Sequence, residues 1–235
     1  MTIYERALQL VPDGAVIGLG SGRAAWAFVG LLGEQIQAGR LRVCGVPCSE
    51  ETAHVAIEHG VPLVNLQDAG ELAITIDGAD EVDPQLNLIK GYGRALVRES
   101  VVAASSRRLV ILVGDEKLVP VLGSRGRLPV EVTPFAVPLA TRRLVELGLK
   151  PMLWQDNGKP GITDNNNHIL DCTTGPITDA ARLETQVLAI PGIVGTGLFL
   201  GMADTLLVGN GNDFQMIEER HRTPITTSHS HNKDS

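Results

Sequence analysis

Short strand patterns alternate with helix patterns through the first half of the chain. Five apolar runs have the length of a buried strand: 15–19, 41–46, 62–66, 72–76 and 108–113. Three segments between or beside them have helical spacing: 24–36, 49–59 and 93–104. Because neighbouring parallel strands are joined by helical crossovers, this alternation predicts a mostly parallel sheet with right-handed connections.

The pattern changes after about residue 127. Strand patterns at 129–132, at 151–154, around Ile169 and at 192–199 are interrupted by helix patterns at 137–147 and 180–189. This βαββαβ order predicts a ferredoxin-like second domain. A last apolar run, 203–209, is assigned to the first sheet. The predicted domains are therefore 1–127 together with 202–235, and 128–201.

Charge and cysteine content narrow the class of protein. The 235 residues carry a net charge of −7, which argues against non-specific nucleic-acid binding. The sequence lacks both the run of about 18 apolar residues that a membrane span needs and the pattern of a secretory signal. Three cysteines give an odd count without framework spacing, so we expect reduced thiols and a cytoplasmic location. Cys44 and Cys48 lack a second pair, and no metal site is predicted.

A glycine-rich loop, Gly18-Leu-Gly-Ser-Gly-Arg23, lies between the first strand pattern and the first helix pattern. Glycines let the backbone approach an anion, and a helix N-terminus offers amide donors and partial positive charge. Ser21 adds a hydroxyl group and Arg23 a possible bidentate contact to phosphate. A tight turn or a dinucleotide loop are the alternatives, although Arg23 breaks the dinucleotide fingerprint.

Acidic residues follow the strand pattern at 72–76, in the order Asp77-Gly-Ala-Asp80-Glu81. The carboxyl ends of parallel strands are where open α/β sheets place their sites. Three carboxylates in five residues repel one another, which favours a functional role. An acidic turn and a divalent-metal site are the alternatives.

Two lysines and a glutamate complete the candidate residues. Lys90 precedes a glycine loop that opens a helix, and Glu99 lies in that helix. Lys90 is suited to stabilise an oxyanion and Glu99 to move a proton. The alternative is a loop lysine and a surface glutamate paired with Arg94 or Arg98. Lys117 follows the strand pattern at 108–113, and either reaches the same edge of the predicted sheet or is a solvated surface lysine.

Taken in order, these segments resemble the ribose-5-phosphate isomerase A family over about residues 5–218. The segments that carry the resemblance are GLGSG, TIDGADEVDP and LIKGYGRALVRE, followed by LPVEVTPFA, DNNNHILDC and IPGIVGTGLF. The resemblance implies an α/β fold, with a Rossmann-like mostly parallel sheet domain and a smaller ferredoxin-like α+β domain. It also implies interconversion of ribose 5-phosphate and ribulose 5-phosphate through an enediolate, in the pentose phosphate pathway, without metal or cofactor.

The resemblance also implies roles for individual residues. Glu99 would be the base that moves a proton between carbon 2 and carbon 1. Asp77 would handle the hydroxyl protons and ring opening, while Lys90 and Asp80 would orient the enediolate oxygens. The residues that would bind the substrate or its phosphate are Gly20, Ser21, Gly22, Arg23, Ala24, Gly91, Gly93 and Lys117. The implied partner is a small sugar phosphate, and the implied assembly is a homodimer or homotetramer.

Several residues depart from the family's pattern. Arg23 and Ala24 replace a Ser-Thr pair, Tyr92 replaces a glycine, Arg94 an alanine and Ser100 a lysine. We expect Tyr92 to add bulk near the sugar, and the two arginines to add charge near the phosphate or the mouth of the site. An isomerase for another sugar phosphate and a non-catalytic sugar-phosphate-binding module are therefore the alternative functions. A dehydrogenase is disfavoured by the broken dinucleotide fingerprint.

Overall fold

The computed structural model describes residues 1–210 and 213–218. Its α-helices are α1 (Ile3–Leu8), α2 (Arg23–Gln37), α3 (Glu50–Glu58), α4 (Leu66–Ala69), α5 (Leu96–Ala104), α6 (Val137–Glu146) and α7 (Ala180–Leu188). Its strands are β1 (Val16–Leu19), β2 (Cys44–Pro47), β3 (Ile74–Gly78), β4 (Glu81–Val82), β5 (Leu88–Ile89), β6 (Leu109–Gly114), β7 (Arg127–Val132), β8 (Lys150–Leu153), β9 (Gln155–Asp156), β10 (Lys159–Pro160), β11 (His168–Thr173), β12 (Ile193–Thr196), β13 (Leu198–Phe199), β14 (Thr205–Asn210) and β15 (Asp213–Glu218). Strands β9 and β10 form a separate small hairpin.

The first sheet has six strands in the order β15-β14-β6-β3-β1-β2. Every neighbouring pair in it is parallel except β14 with β15. Strands β1, β3 and β6 are buried, which explains why their sequences are continuous apolar runs rather than alternating ones. One apolar cluster, which includes Ile17, Phe28 and Ile76, packs this sheet against α1, α2 and α3. The predicted parallel sheet is confirmed, as is the return of the 203–209 segment to it.

The second sheet is antiparallel, in the order β12-β7-β11-β8. Numbered along the chain, these strands stand in the order 4-1-3-2, with α6 after the first strand and α7 after the third. This arrangement confirms the ferredoxin-like prediction. Leu128, Val130 and Val132 point from β7 into an apolar cluster that also holds Leu144 of α6 and Val187 of α7. Helix α5 packs against β7 and β12 on one side, and its Val102 lies against Gly18 of β1 on the other, so the helix lies between the two sheets.

A small third sheet, β13-β5-β4, positions the segment before the candidate lysine. Strand β5 pairs with β4 on one side and β13 on the other. The backbone N–H of Lys90 then donates to the carbonyl of Gly197 at 2.9 Å. The lysine is therefore fixed by strands distant in sequence.

Some local predictions were wrong. Residues 62–66 do not form a strand, because only Leu63 makes a bridge, to Gly45 of the edge strand β2. The helix predicted from residue 93 begins at Leu96, after a turn in which Gly91 and Arg94 have positive φ. Helix α1 and the edge strand β15 were not predicted.

The division into domains at residues 127 and 202 stays a prediction. Residues 219–235, assigned to the first domain, lie outside the described residues. Within 1–210 and 213–218, helices are all too short or too polar to cross a membrane.

Candidate active site

The glycine loop joins the end of β1 to the start of α2, a helix of 15 residues. Gly22 is the residue before the helix and has φ +87°, a conformation that disfavours other residues. Gly20 lies against the next strand: a Cβ there would be 2.2 Å from Asp77 Oδ1 and 2.5 Å from Asp77 Cα. The loop therefore needs glycine for backbone conformation at one position and for close approach at the other.

Asp77 lies near the carboxyl end of β3 and its side chain is buried. Its Oδ1 accepts hydrogen bonds from the backbone N–H of Ser21 at 3.0 Å and of Gly78 at 2.7 Å. Its Oδ2 lies 2.9 Å from Lys90 Nζ. Both carboxylate oxygens are thus engaged, one by the glycine loop and the other by the lysine.

Lys90 is a buried cation with three oxygen neighbours. Besides Asp77, its ammonium group donates to the carbonyl of Gly78 at 2.5 Å and to Glu99 Oε1 at 3.3 Å. The ring of Phe199 lies 5.5 Å away on another side. Burial by itself lowers the pKa of Lys90, but the charges of Asp77 and Glu99 outweigh it and hold that pKa above its ordinary value. Lys90 therefore stays protonated at neutral pH.

Glu99 lies in the first turn of α5 and only 4% of its surface is exposed. Its Oε1 faces Lys90, while its Oε2 has no hydrogen-bond partner among the described residues. Burial raises the pKa of Glu99 to about 7, and the charges of Asp77 and Asp80 add to the effect, although Lys90 opposes it. A carboxyl with this pKa gains and loses a proton near neutral pH.

The alternative that made Glu99 a surface residue paired with an arginine is wrong. Arg94 pairs with Asp171 instead, at 2.8 Å. Arg98 turns towards the loop at Asp164, whose carbonyl accepts from its guanidinium at 2.6 Å. Glu99 is left facing Lys90.

The other two carboxylates of the acidic segment diverge. Asp80 Oδ2 accepts the backbone N–H of Tyr92 at 3.0 Å, and burial raises the pKa of Asp80. Glu81 is buried elsewhere, where it accepts the backbone N–H groups of Gly123 at 2.7 Å and Arg125 at 3.1 Å. Asp77 and Asp80 therefore belong to the site, and Glu81 holds a distant loop.

A cavity of about 580 Å³ opens beside these residues. Ten of the twelve residues that sequence analysis selected line it: Ser21, Gly22, Arg23, Ala24, Asp80, Lys90, Gly91, Gly93, Glu99 and Lys117. The other two, Gly20 and Asp77, lie behind this wall. The lining also includes Tyr4, Trp26 and Glu116, which sequence analysis missed. Tyr4 is in a helix that was not predicted. Trp26 belongs to the apolar helix pattern at 24–36, which gives no sign that its side chain faces a cavity.

Arg23 and Lys117 are the cations at the outer end of the cavity. Within the part of the chain that the structure describes, neither side chain has an ion pair or a hydrogen bond. The start of α2 lies at the same end and contributes Ser21, Gly22 and Ala24 to the wall. Free cations next to a helix N-terminus make this end suited to bind an anion.

The structure corrects the expectation for Tyr92 and Arg94. The Tyr92 hydroxyl accepts the backbone N–H of Arg127 in β7 at 2.7 Å. The Arg94 guanidinium stacks 4.7 Å from the ring of Trp154. Both side chains point towards the second sheet, so neither crowds nor charges the cavity.

Cys48 lies behind the site, with its sulfur and oxygens of Asp77 and Glu99 all within 4.8 Å of one another. That spacing is compatible with a metal ion. Burial, together with the nearby charges of Asp77 and Glu99, raises the pKa of the Cys48 thiol well above its ordinary value, whereas a metal needs the thiolate. The Lys90 ammonium is also already paired with both carboxylates. The expectation that the site has no metal stays a prediction.

Comparison with known proteins gives a consistent result. Residues 44–213 match the family model described as ribose 5-phosphate isomerase A (phosphoriboisomerase A). The chain is 47% identical over 216 residues to ribose-5-phosphate isomerase A of Roseiflexus castenholzii, covering 91% of this chain and 92% of the relative. It is similar to the structure of ribose 5-phosphate isomerase A from Methanocaldococcus jannaschii, with a TM-score of 0.88, 38% identity and coverage of 93% and 97% of the two chains. A D-ribose-5-phosphate isomerase in complex with phospho-erythronic acid also matches, with a TM-score of 0.88, 36% identity and coverage of 92% and 96%.

Proposed function

We propose that this chain, which belongs to the ribose 5-phosphate isomerase A family, interconverts ribose 5-phosphate and ribulose 5-phosphate. The observation that carries the proposal is the buried Glu99–Lys90 pair at the wall of a cavity whose other end is suited to bind an anion. A proton-transfer group and a fixed cation next to a phosphate site are what an aldose–ketose isomerase requires.

The phosphate end of the substrate binds at the glycine loop. Backbone amides at the start of α2 and the Ser21 hydroxyl donate to the phosphate, and Lys117 and Arg23 supply positive charge. The related isomerase that was solved in complex with phospho-erythronic acid supports a small phosphorylated ligand. This placement directs the carbon chain towards Glu99.

Glu99 moves the proton. In its ionised form it accepts the proton from carbon 2 and then returns it to carbon 1. Its pKa of about 7 suits both steps, because a base this close to the ambient pH both takes up and gives back the proton readily. The free Oε2 is the atom available for this transfer.

Lys90 stabilises the negative charge that develops on the sugar oxygens as the enediolate forms. Two of its three N–H groups are held by Asp77 and by the carbonyl of Gly78, which fixes the ammonium group before the reaction, and the third, which now donates to Glu99, is the one that serves the sugar oxygens. This fixed cation supplies the charge that a metal ion would otherwise supply, and we propose a reaction without metal or cofactor.

Asp77 and Asp80 divide the remaining tasks. The sequence-based hypothesis assigned the hydroxyl protons and ring opening to Asp77, but both of its oxygens are engaged and it lies behind the wall. Asp80 lines the cavity and has a raised pKa. We therefore assign the hydroxyl protons to Asp80 and the positioning of Lys90 to Asp77.

The test is an isomerisation assay on the purified chain with EDTA present. Ribose 5-phosphate is offered beside the phosphates of arabinose, xylose, allose and glucose. We expect rapid formation of ribulose 5-phosphate, and a loss of kcat of about 10²–10⁴-fold in Glu99→Gln. Glu58→Gln, at an exposed carboxylate of α3, is the matched control and keeps full activity.

Two results would contradict the proposal. Turnover of another sugar phosphate alone would assign the site to a different isomerase. Binding of ribose 5-phosphate without turnover of any sugar would identify a sugar-phosphate-binding module. The homo-oligomeric assembly, the cytoplasmic location and the two-domain division are retained as proposals of the sequence analysis.

A further inference from the structure

The loop from Gly91 to Arg94 presents its glycines to the cavity and its two large side chains to the second sheet. Gly91 and Gly93 line the cavity. Tyr92 and Arg94, which stand where the family's pattern has small residues, contact β7, β11 and the residue after β8. We call Tyr92, Arg94, Arg127, Trp154 and Asp171 the loop clamp.

Arg94 is held from two sides. Its Nη1 lies 2.8 Å from Asp171 Oδ1, and its guanidinium lies 4.7 Å from the ring of Trp154. The side chains of Arg94 and Asp171 are only 17% and 11% exposed, so solvent screens this ion pair less than a surface pair. Arg94 has φ +68°, which is unfavourable for a residue with a side chain. The contacts of its guanidinium compensate for that conformation.

Arg127 joins the two halves of the loop clamp. Its Nε lies 3.1 Å from the same Asp171 Oδ1, and its guanidinium lies 4.6 Å from the Tyr92 ring. Its backbone N–H donates to the Tyr92 hydroxyl at 2.7 Å. A Cβ on Gly126, the residue before β7, would be 1.9 Å from that hydroxyl, so this close approach to the tyrosine requires glycine.

The backbone between these side chains leads directly into the active site. The Tyr92 N–H donates to Asp80 Oδ2 at 3.0 Å, and the Arg94 N–H donates to the carbonyl of Gly91 at 3.0 Å. Gly91 is the next residue after Lys90, so the loop is directly joined to the residue that carries the buried cation. Any movement of the Tyr92 backbone therefore moves the donor that orients the Asp80 carboxylate.

We propose that the loop clamp is a set of positioning residues that holds Asp80 and the Lys90 segment in their reactive arrangement. This inference rests on the proposed isomerase function. The loop clamp acts on the reaction end of the cavity through the Tyr92 N–H and Asp80, whereas it meets the phosphate end only where Gly93 lies against Ser21, whose Oγ would be 3.4 Å from a Cβ on Gly93. Loosening the loop clamp thus lowers kcat more than it weakens phosphate binding.

Arg94→Ala and Tyr92→Phe test the proposal. The first removes the ion pair and the stacking, and the second removes only the hydroxyl that receives the Arg127 N–H. We expect Arg94→Ala to lower kcat about tenfold, since small displacements of reacting groups cost this much or more. The KM for ribose 5-phosphate and the inhibition constant of inorganic phosphate should stay within about twofold. Tyr92→Phe lowers kcat less, because the ring still stacks on Arg127.

Three further variants separate positioning from general stability. Arg94→Lys keeps the charge but lacks the planar fork, and it restores part of the lost kcat. Arg94→Ala combined with Asp171→Ala lowers kcat by less than the product of the two single effects, because the two residues share one ion pair while each also has a contact of its own. Arg143→Ala is the control: it also breaks an arginine ion pair, with Glu146 at 2.7 Å within α6, and it retains kcat.

Amide hydrogen exchange of the peptide that contains residues 90–95 gives a readout independent of activity. We expect faster exchange of this peptide in Arg94→Ala, with the peptide of the glycine loop unchanged. Unchanged kcat together with unchanged exchange in Arg94→Ala would overturn the proposal, as would a rise in KM with normal kcat. If the wild-type chain itself does not isomerise ribose 5-phosphate, the proposed function fails, and the exchange result alone decides whether the clamp holds the loop.

Discussion

The two ends of the cavity are built in opposite ways. At the reaction end, Lys90, Asp77 and Glu99 are buried and their charges are paired with one another. At the phosphate end, Arg23 is exposed and Lys117 half-buried, and both are free of protein partners among the described residues. The same chain thus supplies buried, ion-paired charges at one end and cations without an ion pair at the other.

This difference follows from the source of the opposite charge, which is the protein at the reaction end and the ligand at the phosphate end. Charges removed from water must be paired inside the protein, because leaving one unpaired is strongly destabilising. Charges near solvent lose little by remaining unpaired until a ligand arrives. The reaction end is therefore part of the folded core, and the phosphate end is completed by the substrate.

Lys90→Met should give the largest effect. It leaves Asp77 and Glu99 buried without a cation, so we expect the free energy of unfolding to fall by about 3–5 kcal/mol. Loss of the fixed cation should also lower kcat by about 10²–10³-fold. Urea denaturation and steady-state kinetics measure the two effects.

Lys117→Met is the matched variant at the other end, and its free energy of unfolding should stay within about 0.5 kcal/mol of the wild type. Equal stability of Lys90→Met and the wild type would remove the distinction between the two ends.

The pH dependence should come from the reaction end. Glu99 must be ionised to accept the proton, and its pKa is about 7. Below that pH the protonated fraction grows, so kcat/KM should fall about tenfold per pH unit and level off above it. Rates measured from pH 5 to 9 give the inflection.

The substrate phosphate itself titrates near pH 6 and adds a lower inflection. Lys117→Met should raise KM but keep the inflection near 7, because it leaves the surroundings of Glu99 intact. A rate that is flat down to pH 5 would contradict the role of Glu99.

Arg23→Ala and Lys117→Met should each weaken substrate binding about tenfold, the equivalent of one charged hydrogen bond. We expect the change in KM, with kcat within about twofold, since neither cation touches Lys90 or Glu99. Kinetics with ribose 5-phosphate measure both constants. Arg23→Lys should recover part of the affinity. A fall in kcat at constant KM would instead place these cations in the chemical step.

The smallest effect should be the stabilisation of the resting protein by an anion. Inorganic phosphate at a concentration equal to its Kd should add about 0.4 kcal/mol, or roughly 1 °C in Tm. Differential scanning fluorimetry against sodium chloride of equal ionic strength detects this shift. It should disappear in Lys117→Met at the same concentration, and an identical shift in that variant would mean that phosphate binds elsewhere.

Sequence analysis predicted those parts of the site that lie at the carboxyl ends of parallel strands. Asp77 lies in the last two residues of β3 and Lys117 in the turn after β6, and the carboxyl ends of such parallel strands meet at one edge of the sheet. The glycine loop was recognisable because its residues have strict conformational needs. The position of Glu99 beside Lys90, in contrast, was one of two open alternatives until the structure decided it.

The parts that were not predicted depend on contacts between residues far apart in the chain. Glu81 belongs to the same acidic segment as Asp77, yet it lies outside the site. Its carboxylate oxygens accept hydrogen bonds from the backbone N–H groups of Gly123 and Arg125. Tyr92 turns away from the cavity because its hydroxyl binds the backbone of Arg127 in β7. Arg94, two residues later, pairs with Asp171 in β11. Leu63 sits beside the edge strand β2 with too little pairing to extend it. No local pattern encodes these pairings.

One carboxylate contacts both ends of the substrate site. Asp77 accepts the Ser21 amide with one oxygen and pairs with Lys90 through the other. The three atoms of this rigid group therefore fix the distance between the glycine loop and the cation that stabilises the intermediate. The spacing between the two ends of the substrate site is thereby set within the folded core.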